Sequence, residues 1–409
     1  MLPYGRQSIS QEDIDEVVRV LKGDYLTTGP EVPAFEAAFC AYTGAAHAVA
    51  CSNGTAALHI IAMALDIGAG DQVIAPTISF VATANGPHYC GAEVIFADVD
   101  PETGLMTPDT MREAMGRADP ARLKAVFVVH LSGAPVDMAA ISAITREAGV
   151  ALVEDACHAL GSLYDKGDGT TGMVGDCALS DFASFSFHPV KTVTSGEGGM
   201  VTCSDPAMAE KLSLLRNHGL VREASGFVDP EIGFEAGTGE TNPWAYELQI
   251  LGYNYRLTDF QAALGRSQLS RMTEFGPSRQ ALVRRYRAQA DTLGAAVTLV
   301  PSSADADAVL HLMIALIDYE AIGKTRREVM QELRARGVGS QVHYIPIHRQ
   351  PYYRALNPEL SLPGAERYYA RCLSLPLYPD MSEADVDTVI EALAEVCGSR
   401  EQQSAGAAE

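Results

Sequence analysis

The chain has 409 residues, 47% of them hydrophobic and 20% charged, with a formal net charge of −22. That length allows two domains around a large core, and that charge argues against nucleic-acid binding or a basic membrane-surface role. Any anionic substrate must therefore meet a locally basic site set in an acidic surface.

The opening residues Met1 to Gln7 lack the charged-then-apolar order of a secretory leader, and no apolar run reaches membrane-spanning length. The 8 cysteines are scattered, with no Cys-x-x-Cys pair. That usage predicts reduced thiols in a cytoplasmic protein and no metal site. The first helix starts at Ser10 as cap with Asp13 at the third position, and Gly23 ends it. Ile14, Val17, Val18 and Leu21 form its apolar stripe. Near-continuous apolar runs then alternate with helical stretches, which predicts strands at 48–51, 72–75, 93–97, 125–130, 151–154, 182–187 and 199–203. Such a series builds a large, mostly parallel seven-stranded sheet covered on both faces, an α/β domain.

Three segments of that series carry chemistry. In Cys51-Ser52-Asn53-Gly54-Thr55-Ala56 a strand meets an alanine-rich helix. Glycine admits close backbone approach and the helix start offers free N–H groups, so Gly54 and Thr55 suit a phosphate. An ordinary strand-to-helix turn reads the same way. In Glu154-Asp155-Ala156-Cys157-His158, Asp155 falls at the carboxyl end of a buried strand, where ligands of parallel sheets sit. There it would keep a pyridine nitrogen protonated, or merely cap the next turn. In Ser186-Phe187-His188-Pro189-Val190-Lys191, a lysine stands between an aromatic strand and the glycine turn 196–199. That is a poor place for a solvated charge and a good one for a Schiff base with an aldehyde cofactor. Glu197 shapes that glycine turn.

Gly167-Asp168-Gly169-Thr170-Thr171-Gly172 matches G-x-G-x-x-G, but no strand leads into it and no helix follows. The dinucleotide reading, and with it a nicotinamide oxidoreductase, fails that context, and a hairpin-like loop is expected. Residues 222–243 carry loop chemistry, and 258–272 read as a long helix leading into a second unit. That smaller α+β unit has strands at 309–317 and 340–345 and helices at 324–336 and 382–396, the last capped by Ser382. The division is a large domain at 1–253, a small one at 254–397 and a disordered tail at 398–409. His343 and His348 are open to three readings: structural imidazoles, substrate or interface contacts, or a metal pair. Arg256 would meet an acidic partner or a substrate anion, and a structural ion pair reads equally well.

Together these segments resemble the pyridoxal-phosphate enzymes of the aspartate aminotransferase fold (fold type I), and within it the DegT/StrS-type sugar aminotransferases. The marks include Leu26-Thr27-Thr28-Gly29-Pro30, Ser52-Asn53-Gly54-Thr55, Pro76-Thr77-Ile78-Ser79-Phe80, Glu154-Asp155-Ala156-Cys157-His158, Arg216-Asn217-His218-Gly219, Gly252-Tyr253-Asn254-Tyr255-Arg256 and His343-Tyr344-Ile345-Pro346. The resemblance implies a pyridoxal phosphate cofactor bonded to Lys191 and released from it as pyridoxamine phosphate during turnover, with Asp155 on the pyridine nitrogen and Phe80 against the ring. His158 lies near that ring, Gly54, Thr55 and Ser186 hold the phosphate, and Asn254 reaches it from the neighbouring subunit of a homodimer. Relatives with histidine in place of the lysine are sugar dehydratases, so Lys191 favours transamination. It also weighs, with Asp155 and Ser186, against a non-catalytic homologue. The opening Pro3-Tyr4-Gly5-Arg6-Gln7 looks most like the pseudaminic-acid branch. That branch aminates C4 of a UDP-linked 4-keto-6-deoxy-N-acetylhexosamine with L-glutamate as donor. Tyr4, Thr27, Arg256, His311 and Tyr344 then fall toward the sugar nucleotide. Sugar aminotransferases making 4-amino-4-deoxyarabinose, perosamine or a 3-amino sugar are the alternatives.

Overall fold

A computed structural model describes residues 1–300 and 308–398; of the tail expected at 398–409, only Gly398 falls within them. Nine strands form the first half: β1 His47–Cys51, β2 Gln72–Pro76, β3 Glu93–Ala97, β4 Leu123–Val129, β5 Ala151–Asp155, β6 Leu163–Asp165, β7 Thr171–Met173, β8 Phe182–Ser186 and β9 Gly199–Cys203. Seven of them make one sheet in the order β1-β9-β8-β5-β4-β2-β3, and they are the seven apolar runs expected. β2, β4, β5 and β8 pair in parallel, as β2 does with β3. β9 runs antiparallel to both its neighbours. The cause is the connection: 187–198 holds no crossover helix, so the chain returns beside β8 in the opposite sense. The glycines at 167–172 sit in the β6–β7 hairpin.

Helices cover both faces. Ser10 and Asp13 form a capping box on helix Gln11–Leu21. The apolar stripe of that helix faces outward, with Ile14 46% and Leu21 55% exposed. Asp13 is buried instead, accepting bonds from Ser267, Gln268 and Arg271. A fully partnered carboxylate has thus displaced the aliphatic face from the core. Helix Asp259–Ser270 carries these donors and packs on the first two helices. At Arg271 the long helix expected over 258–272 breaks, and Met272–Ala288 continues in a new direction.

Strands β10 Leu220–Val221 and β11 Glu247–Leu248 close the base of the irregular segment at 222–243. A second sheet holds β12 Val297–Val300, β13 Met313–Ile317 and β14 Cys372–Leu375, all antiparallel. It packs with helices Met272–Ala288, Arg326–Ala335 and Glu383–Cys397 around its own core. Two expectations need correction here. The strand placed at 309–317 begins only at Met313, because residues 309–312 are bound to the turn after β4. The strand placed at 340–345 does not form: after one bridge at Gln341–Ser374 the backbone turns inward. His343 and Tyr344 then line a cavity, and a strand's alternation would have aimed one of them away.

Candidate active site

The carboxyl ends of β2, β4, β5 and β8 share one edge of the sheet, and a cavity of about 910 Å³ opens there. Tyr4, Gly54, Thr55, Phe80, Asp155, His158, Ser186, Lys191, His311 and Tyr344 all line it. They come from seven separate stretches of chain. Gly54 heads helix Gly54–Ala64, whose cap Asn53 accepts the N–H of Ala56. A β-carbon on Gly54 would stand 2.9 Å from Ser186 Cβ and 3.3 Å from its hydroxyl. Only glycine lets the helix start and Ser186 close into one cradle. Gly54→Ala is therefore expected to weaken phosphate-dependent cofactor binding by about tenfold or more. An absorbance titration of the stripped protein measures this, and unchanged affinity would remove the cradle from the site.

Asp155 is buried at the tip of β5. Its Oδ2 accepts the Thr83 hydroxyl at 2.6 Å and its Oδ1 accepts the Cys157 N–H at 3.2 Å. Thr83 in turn meets Ser79 Oγ at 2.6 Å. These bonds fix the carboxylate's plane. Burial lowers the pKa of the Lys191 amine, while Cys157 and Asp155 act in the opposite sense. Burial and then Asp155 hold the Cys157 thiol well above its ordinary value, so Cys157 is a neutral thiol. The lasting counter-charge beside Lys191 is Asp155. Phe80 is 57% exposed and presents its ring over the same space.

Imidazoles and phenols form the opposite wall. The Ser132 N–H donates to His158 Nδ1 at 3.3 Å, and Tyr344 Oη lies 3.1 Å from His158 Nε2. With Nδ1 occupied as acceptor, the neutral ring carries its proton on Nε2 and donates it to Tyr344. The phenol's own proton is then free for a ligand. His311 packs on His158 at 4.6 Å between centroids, and His343 bonds Ser374 Oγ through Nδ1 at 2.7 Å. Burial drives all three histidines down, His158 and His311 well below their ordinary value and His343 to about 4, with Lys191 adding to the effect.

These histidines make stability sensitive to acid. The unfolded chain protonates them near 6.5, whereas folded His343 resists until about 4. The unfolded state binds more protons in between, so stability present above pH 6.5 is lost as pH falls toward 4. Thermal melts at constant ionic strength should show that decline, and His343→Asn should flatten it. Equal slopes for the two proteins would contradict the assignment.

Three expected site residues lie outside the cavity of this chain. Asn254 is exposed next to a bridge with Asn217. Arg256 donates to Asn217 Oδ1 at 2.8 Å and faces a separate groove. Thr27 is exposed, because the Asp259 carboxylate takes the N–H groups of Gly29 and Glu31 and holds that turn on helix Asp259–Ser270. His348 also points elsewhere, to Thr77 Oγ1 at 2.8 Å and Glu366 at 3.3 Å. Conversely, Asn53, Tyr89, Cys157 and Tyr255 line the cavity without a role assigned from sequence, and His343, left open between three readings, lines it as well. Asn53, Cys157 and Tyr255 carried a signal, their places inside the quoted motifs, and Tyr89 carried none.

The sequence profile of the DegT/DnrJ/EryC1/StrS aminotransferase family matches residues 7–394. Among solved structures, the fold superposes with a TM-score of 0.85 on Helicobacter pylori PseC, an aminotransferase involved in the biosynthesis of pseudoaminic acid. The two are 26% identical over 97% of this chain and 98% of that one. The aminotransferase TlmJ from Streptoalloteichus hindustanus is 31% identical, with a TM-score of 0.83 over 97% and 98% of the two chains. A putative sugar aminotransferase from Streptococcus pneumoniae, Spr1654 in its pyridoxal-phosphate form, gives 26% and 0.84 over 97% and 98%.

Proposed function

The chain belongs to the DegT/DnrJ/EryC1/StrS aminotransferase family, and from that premise we propose that it transfers the amino group of L-glutamate to C4 of a UDP-linked 4-keto-6-deoxy-N-acetylhexosamine. It is a pyridoxal-phosphate-dependent sugar aminotransferase. The observation that carries the proposal is the placement of Lys191, beside Asp155 and within one cavity with the Gly54–Ser186 cradle. The likeness to PseC supports the particular sugar. The greater identity to TlmJ keeps a second reading, another nucleotide-linked keto sugar. Incubating the enzyme with glutamate and a panel of nucleotide-linked 4-keto and 3-keto sugars, then reading products by mass, decides between them. Amination confined to a 3-keto sugar would overturn the first reading.

The residues fit the cofactor. The cradle that a β-carbon would fill suits its phosphate, the Asp155 carboxylate suits its pyridine nitrogen, and the exposed ring of Phe80 suits its face. When bound, pyridoxal phosphate supplies an aldehyde that takes up the amino group and a ring that stores electrons. The chain's own work is proton transfer and orientation. Burial favours the neutral amine of Lys191, the form able to remove the proton from the donor's α-carbon. It passes that proton on, and in the second half-reaction the same Nζ, protonated again, delivers a proton to C4 of the sugar. Tyr344, its oxygen satisfied by His158, donates its proton to an oxygen of the ligand.

A homodimer completes the site in this reading, with Asn254 of each protomer serving its partner's phosphate. Its support is the exposure of Asn254 amid apolar surface: Trp244 is 75% and Leu251 78% exposed on the same stretch.

A further inference from the structure

Arg279 is 1% exposed, inside the core beside β13. No carboxylate pairs with it among the described residues. Its Nη1 instead donates to the carbonyls of Leu310 at 3.2 Å, His311 at 3.3 Å and Leu377 at 3.1 Å. A buried cation without a counter-charge is costly and persists only where its hydrogen bonds are placed well. Three carbonyls share the two N–H groups of Nη1 while Nε is buried without a partner among the described residues, and two of those carbonyls belong to the stretch that carries His311 into the cavity.

The turn after β4 grips that stretch from the other side. Ser132 O accepts the N–H of His311 at 2.7 Å, and Ser132 Oγ donates to Leu312 O at 2.5 Å. Gly133 adopts a φ of 100° there, and a β-carbon on it would stand 2.7 Å from Val309 O and 3.0 Å from His311 N. No protein group holds the imidazole itself at Nδ1, which is buried without a partner among the described residues. The ring's place is therefore set through its backbone, between the guanidinium and the turn.

We propose that Arg279 is a positioning residue for the sugar half of the reaction: by drawing the Leu310 and His311 carbonyls together it sets the imidazole of His311 against the bound sugar. The proposal rests on the reading of His311 as a sugar contact. Four groups surround that ring, His158, Lys191, Arg279 and His343, and with burial all of them favour the neutral imidazole. His311 thus meets the sugar as a hydrogen-bonding group and not as a charge. Lysine in place of Arg279 keeps the charge on a side chain one bond shorter, so its ammonium falls short of the point where Nη1 now meets three carbonyls.

The test is a double-mutant cycle on the holoenzyme with glutamate and the UDP-linked 4-keto-6-deoxy-N-acetylhexosamine. Arg279→Lys is expected to raise the sugar KM about tenfold with kcat within about twofold. The glutamate half-reaction and the cofactor's absorbance should stay as in wild type. His311→Asn should raise the same KM, and the double variant should match His311→Asn alone, because Arg279 acts through that ring. If the two effects multiply, or Arg279→Lys lowers only the melting temperature, the proposal is overturned while the sugar contact stands. If His311→Asn leaves KM unchanged, the sugar contact fails and the proposal with it. Should Arg279→Lys not fold, Ser132→Ala loosens the same stretch from its other side. A KM increase for Ser132→Ala that vanishes in the His311→Asn background supports the proposal, and one that persists overturns it.

Discussion

Lys191→Ala is expected to lower sugar amination below about 1% of wild type, a loss of at least the 10² that opens the 10²–10⁴-fold range for a positioned acid–base group. The thiol and the three buried imidazoles of the cavity are poorly suited to take over the proton transfers. Cys157 is held as a thiol, and His158, His311 and His343 are weak bases in this setting. Lys191 is also the one lysine that lines the cavity. The fold should survive, since no core side chain is removed and deletion of a partly buried ammonium relieves a desolvation cost. Steady-state product mass, melting temperature and binding of pyridoxamine phosphate together test this. Residual amination above about 1% in a folded variant would assign the proton transfers to another group. Borohydride reduction of the wild-type holoenzyme should label the peptide that carries residue 191, and Lys191→Ala should lose that label.

The local signals that survived folding were those whose cause is local. Ser10 with Asp13 and Ser382 with Asp385 cap their helices as their spacing indicates, because a capping box needs only four residues. The seven apolar runs became the seven strands of the main sheet, since strands buried on both faces must be apolar throughout. Strand sense was not legible: Gly199–Cys203 reads as apolar in either direction, and its reversal follows from a connection without a helix. The outward stripe of Gln11–Leu21 was not legible either, because it depends on Asp13 finding Gln268 and Arg271 far along the chain. The site divides the same way. Gly54, Asp155, Ser186 and Lys191 sit inside compact motifs at strand ends, where the sheet's geometry brings them together. His343, Tyr89 and Arg279 act through tertiary placement, which no short window of sequence records. Residues 340–345 misled because Val342, Tyr344 and Ile345 are strand-favouring residues, although the segment that carries them dips into a cavity.

Asp155→Asn is expected to retain the cofactor and lose about 10²–10³-fold in the single-turnover rate with glutamate, the scale for removing one preorganised electrostatic contact. The substitution is nearly isosteric. An asparagine Oδ1 can still accept the Cys157 N–H, and its amide can turn toward Thr83, whose hydroxyl then donates to Ser79. What disappears is the negative charge. A neutral amide cannot hold a proton on the pyridine nitrogen, so the ring becomes a poorer store for the electrons released at the donor's α-carbon. A second consequence separates this account from a mere loss of packing. Asp155 is one of the groups holding the Lys191 pKa up against burial, so its removal should let that pKa fall further. Alkylation of Lys191 in the cofactor-stripped protein, followed against pH, should therefore become half-maximal at a lower pH in Asp155→Asn than in wild type. A near-normal single-turnover rate would end the assigned role. An unmoved alkylation profile would show that the carboxylate and the amine do not interact.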